Sequence, residues 1–120
     1  MDLKISTSID YDARDVLTAV GAIDLQSRHL LLSAAQPLLG GAATEPTNAE
    51  AGQGRAGATL VLDLAGITFI DSTGIGTLVE LSRDAEEAGR QFVIARPSAR
   101  VLRILQITGL QDQWIIEDES

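Results

Sequence analysis

Apolar and polar side chains alternate from the start of the chain. Leu3, Ile5, Thr7 and Ile9 fall on one side of an extended backbone and Asp2, Lys4, Ser6 and Ser8 on the other, the period of two that predicts a strand. "DYDAR" (Asp10 to Arg14) reads as a polar turn and "DVLTAV" (Asp15 to Val20) as a second strand, so the chain opens on a β-hairpin. Over Gly21 to Leu39 the period changes. Asp24 can cap a helix there, with Leu25, Leu31, Leu32, Ala35 and Leu38 forming much of its apolar face and Pro37 weakening its last turn.

"TLVLDL" (Thr59 to Leu64) is a nearly continuous apolar run, the pattern of a strand buried between neighbours. "AGITFI" carries it to "DSTGIG", and a second helix begins at Ser72. Ile75, Leu78, Val79 and Ala85 fall mainly on one face of it, and Glu80, Arg83, Asp84 and Glu87 largely off that face. Gly89 suits its end. "QFVIA" (Gln91 to Ala95) predicts another strand. Pro97 and Ser98 open a third helix with Val101, Leu102 and Leu105 inward, and "WIIE" (Trp114 to Glu117) predicts a last short strand. The order β-β-α-β-α-β-α-β predicts an α/β fold whose parallel strands are joined by right-handed crossovers. The opening hairpin makes the sheet mixed. Leu39 to Ala58 is different: rich in Gly, Ala, Thr and Asn, without apolar period, it is expected to be a flexible insertion over residues 40–58 of one domain spanning 1–120.

Composition narrows the function. Hydrophobic residues make up 45% of the chain and aromatic ones only 3%, so a core is affordable but must be aliphatic. The net charge is −8, from seventeen acids against nine bases. That argues against a surface for nucleic acid or anionic lipid, whose affinity is largely electrostatic. No cysteine is present, which removes disulfides and thiolate metal sites. No apolar run approaches a membrane span, and "MDLKISTSID" lacks the layout of a signal peptide. A cytoplasmic location is the simplest expectation.

The junction Asp71-Ser72-Thr73-Gly74 concentrates the candidate chemistry. A serine hydrolase needs a base beside its serine, but the one histidine, His29, sits in a Leu-rich helical segment, and the G-x-S-x-G pattern is absent. An aspartic protease needs a second Asp motif. A phosphate loop needs a lysine after its glycines, and Thr77 and Leu78 follow Gly76 instead. No nucleotide cofactor is expected. Asp63 and Asp71 alone make a weak metal set. Ser, Thr and Asp are also preferred helix caps, so a purely structural role is a strong alternative. Gly74 and Gly76 fit that role less well, since each costs roughly 1 kcal/mol against Ala inside a helix. Two in one turn suggest close backbone approach, by a neighbouring strand or by a partner. A further option is that the serine hydroxyl is itself modified, since phosphate at a helix N-terminus meets free N–H groups.

Thr59 to Leu110 resembles the STAS domain of bacterial anti-sigma factor antagonists, through "DSTGIG" combined with "ILQITGL" and with "GAID" (Gly21 to Asp24) at the turn before the first helix. The resemblance is weaker over Met1 to Val20 and hardly extends to Leu39 to Ala58. It implies a switch rather than an enzyme. Such proteins bind an anti-sigma factor that is also an ATP-dependent serine kinase, and so release a sigma factor. Phosphorylation of a serine at the start of the second helix breaks the complex, and a metal-dependent serine phosphatase restores it. The resemblance makes Ser72 the acceptor, with Thr73 its neighbour. It implies that Asp71 orients the serine or assists kinase recognition, with plain capping the alternative. Gly74 and Gly76 would admit the partner backbone. Thr77 and Glu80, on the exposed part of that helix, would extend the docking surface, with Asp24 near it.

Two departures from the family pattern stand out. The segment Leu39 to Ala58 is longer than the family needs, and members usually continue into a last helix after "WIIE". The apolar surface left without that helix would be covered by a homodimer or by a partner. The competing reading is a non-catalytic scaffold or regulatory subunit of a stress-sensing or lipid-transport complex, with the serine idle.

Overall fold

The computed structural model describes residues 2–39 and 58–117. Five strands form one sheet in sequential order: β1 (Leu3–Ile9), β2 (Asp15–Ile23), β3 (Leu60–Ile70), β4 (Phe92–Ala95) and β5 (Ile115–Glu117). β1 runs antiparallel to β2, and every later pair is parallel. The crossovers are made by α1 (Arg28–Leu39), α2 (Ser72–Glu87) and α3 (Ala99–Thr108). This is the mixed sheet and element order expected from the hydrophobic periods. The insertion expected over 40–58 lies outside the described residues except for Ala58.

One register row shows how the core is built. Thr7, Leu17, Leu62, Ile94 and Ile116 lie side by side across all five strands, and the middle three are fully buried. Leu31 and Ala35 of α1, Leu78, Leu81 and Ala85 of α2, and Val101 and Leu105 of α3 belong to the same core. Each fully buried leucine contributes about 1.5–3 kcal/mol relative to exposure. The aliphatic composition therefore suffices, with a single edge-to-face ring contact, Phe92 on Trp114 at 5.3 Å, among the described residues.

At the other end of the sheet, opposite the candidate site, Arg90 Nη1 donates to Asp15 Oδ2 at 3.0 Å in a buried ion pair. It ties the start of β4 to the start of β2 beneath the intervening β3. The structure corrects three sequence-based expectations. β2 does not stop at Val20 but continues to Ile23, through irregularities between Thr18 and Val20 and between Gly21 and Ala22. α1 consequently starts only at Arg28, and Asp24 caps the turn that leads into it, its carboxyl accepting from Gln26 N and Ser27 N and its carbonyl from Arg28 N. Leu25, placed on the apolar face by periodicity, lies in this turn and is 70% exposed.

Candidate functional site

The site forms where β2 and β3 end together. Ile23 and Ile70 are register partners, so Asp24 and Asp71 leave the sheet side by side at the carboxyl edge of the parallel strands. In open α/β sheets this edge is where binding sites collect. Each aspartate caps the turn that follows it. Asp71 has extended backbone dihedrals, and its Oδ1 accepts from Gly74 N at 2.9 Å while its carbonyl accepts from Ile75 N. Asp24 Oδ1 accepts from Gln26 N and Ser27 N, both at 3.0 Å, and Ser27 Oγ accepts in return from Asp24 N. Burial opposes the charge of Asp24, but these N–H groups and the Ser27 hydroxyl outweigh it and hold its carboxyl below the usual range.

Ser72 is the first residue of α2 and is exposed. Among the described residues, nothing bonds to its hydroxyl. Thr73 follows it, half-buried. The helix start fixes the serine: Asp71 holds the first turn, and the missing side chain of Gly74 lets that turn press on the sheet. A Cβ on Gly74 would collide with the Ile23 carbonyl oxygen and lie 2.6 Å from Ile70 Cγ1. The approach that needs this glycine comes from the protein's own strand. Gly76 differs, since it is exposed with open space where its Cβ would be.

Thr77 is also corrected. It was expected on the exposed part of α2, and it is fully buried at the seam with α1. Its hydroxyl donates to the Thr73 carbonyl at 2.8 Å and accepts from Arg28 Nε at 3.2 Å. Arg28 Nη2 then donates to Glu80 Oε1 at 2.7 Å, and Glu80 is exposed. Arg28 was not singled out from sequence. Its partners lie some fifty positions away and no local spacing announces them, although it stands four residues after Asp24. The outer surface of the site therefore holds Ser72, Gly76 and Glu80, while Gly74 and Thr77 hold it from within. An exposed hydroxyl on a capped helix start can accept a group from another protein.

The STAS domain model matches residues 7–119, and the chain belongs to the STAS domain family. The anti-sigma-B factor antagonist of Listeria monocytogenes serovar 1/2a (strain EGD-e) is 33% identical over 60 residues, covering 50% of this chain and 53% of that protein. The chain thus spans about half the length of the Listeria relative it matches. The anti-sigma-B factor antagonist of Bacillus subtilis strain 168 is 25% identical over 111 residues, covering 92% of this chain and 88% of that one. Among solved structures, an anti-sigma factor antagonist from Mycobacterium paratuberculosis superposes with a TM-score of 0.68 at 23% identity, covering 98% and 87% of the two chains. The anti-sigma factor antagonist SpoIIAA in its unphosphorylated form gives 0.65 at 16% identity, covering 97% and 90%. At these identities the structural likeness speaks for the fold. No helix of the described residues is long and apolar enough to cross a membrane.

Proposed function

We propose that the chain is an anti-sigma factor antagonist. Unphosphorylated, it binds an anti-sigma factor that is also a serine kinase, and a sigma factor is released. Phosphate on Ser72 ends that complex, and a serine phosphatase restores it. In this reading the chain is ligand and substrate, and its partners are the catalysts. The observation that carries it is the contrast within "DSTG": Asp71 and Gly74 are spent on holding the helix start, while the Ser72 hydroxyl is exposed with no bond among the described residues. Phosphorylation adds about −1.5 to −2 charges. Beside Asp71, Asp24 and Glu80 this would make a strongly anionic patch, and a surface that a partner accepts uncharged would be rejected once charged. The names of the relatives support the same reading.

The direct test is binding and phosphorylation by the cognate anti-sigma kinase. Ser72→Asp should abolish binding, and Ser72→Ala should bind but resist phosphorylation. On a phosphate-affinity gel of protein drawn from its own cells, a retarded band should vanish in Ser72→Ala. Equal binding by the native chain and Ser72→Asp would sink the charge switch.

A further inference from the structure

We infer that β1 is a dimerisation edge, which a second copy of this chain extends by antiparallel strand addition. β1 ends the sheet, and no described strand pairs with its outer side. Which backbone groups face outward follows from two bonds. Asp10 N donates to Arg14 O, and Ala22 N donates to Asp2 O. These bonds mark the even-numbered positions as those bonded to β2, because antiparallel neighbours alternate between bonded and non-bonded pairs. Leu3, Ile5, Thr7 and Ile9 therefore turn their N–H and C=O groups outward. Natural edges are blunted by charge, proline, bulges or shortness. β1 has seven residues without proline or glycine, and Lys4 is its one charge.

The sequence of this edge complements itself. When two copies pair about a two-fold axis through Ser6, Leu3 faces Ile9, Ile5 faces Thr7 and Lys4 faces Ser8. All four outward residues of each copy then donate one backbone bond and accept one, with none left over. Leu3 covers Ile9, which is otherwise 54% exposed. Lys4 lies diagonally opposite Asp10 of the other copy, within range of a favourable cross-strand pair. The two Lys4 side chains do not meet. Such an edge contact is at the small end of interface sizes, so the dimer is weak and exchanging. The net charge of −8 on each copy opposes it, so added salt strengthens it.

The test is sedimentation equilibrium of the full chain over a range of concentrations. The native protein should rise from 12.7 kDa towards twice that mass, at lower concentration in about 0.5 M salt than in about 0.05 M. Thr7→Pro removes an outward N–H without touching the bonds to β2, and it should stay at single-chain mass with an unchanged circular dichroism spectrum. Ile9→Lys, at an exposed position, is the second variant should the proline disturb folding, and it should likewise stay monomeric. A native protein that remains monomeric at every concentration overturns the inference. So does a dimer that persists in either folded variant.

Discussion

Arg28 Nε donates to the Thr77 hydroxyl across the seam between α1 and α2, and that hydroxyl donates in turn to the Thr73 carbonyl one turn back. The start of α1 is thereby bonded to the first turn of the helix that presents Ser72. Thr77→Val keeps the shape and removes both bonds. It leaves Arg28 Nε without this acceptor, while the Thr73 carbonyl keeps its helical bond from Thr77 N, at a cost of about 0.5–1.5 kcal/mol. Thr77→Ser keeps the hydroxyl and should cost less. Urea midpoints of the two variants check this. Equal losses would mean that the methyl group, and not the bonds, is what matters.

Capping and recognition at Asp71 separate in two substitutions. Asp71→Ala loses the bond to Gly74 N and should cost about 1 kcal/mol. Asp71→Asn keeps an acceptor oxygen and removes the charge, so thermal stability should stay near native. If the carboxylate serves only as a cap, Asp71→Asn is also phosphorylated at the native rate. A slowed rate in this stable variant would assign the charge to kinase recognition.

The elements of the fold were legible because their periods are clean. The start of α2 at Ser72 follows directly from the apolar run ending in an aspartate, and the parallel pairing of the later strands from helices alternating with them. The misreadings lie where tertiary contacts outweigh local pattern. Thr77 looks like a surface residue by polarity. It is buried because Arg28 and the Thr73 carbonyl together satisfy its hydroxyl, and Arg28 is 49 positions away. Gly74 and Gly76 look alike in sequence, but only the first faces a strand. Leu25 shares the helical period of Leu32, yet the extension of β2 to Ile23 leaves it in a turn with nothing to cover it.

The hairpin turn gives the acid limb of stability a defined contributor. Asp10 Oδ1 accepts from Arg14 N and Asp12 N, and its Oδ2 from Arg14 Nε at 2.7 Å. Burial pushes its carboxyl up, but these bonds and the Arg14 charge outweigh that and bring it below the ordinary 3.8. A lowered carboxyl stabilises the fold fully above its unfolded value, and that contribution is lost as pH falls through the folded one. Asp10→Asn should therefore be less stable than the native chain at neutral pH, with the gap closing as pH drops below 3.8. Urea midpoints measured down the acid limb give the answer. A gap that stays constant with pH would show that the charge of Asp10 contributes nothing.

Gly74 and Gly76, two residues apart on one turn, should respond to alanine in opposite ways. At Gly74 the added methyl meets the Ile23 carbonyl oxygen and Ile70, both in the packed junction of β2 and β3 with α2. Neither is the end of a flexible side chain, so the helix start must shift, and overpacking of this kind costs about 1–3 kcal/mol. At Gly76 the methyl enters open space, and the gain in helix propensity should stabilise the free protein by about 0.5–1 kcal/mol. The proposed function adds a second expectation. If a partner backbone lies over Gly76, Gly76→Ala should weaken binding to the anti-sigma factor although it makes the free chain more stable. Thermal melts and binding of the two variants, measured together, separate the roles. A Gly76→Ala chain that melts higher and binds as well as the native protein would remove Gly76 from the docking surface. The packing role of Gly74 would stand unchanged.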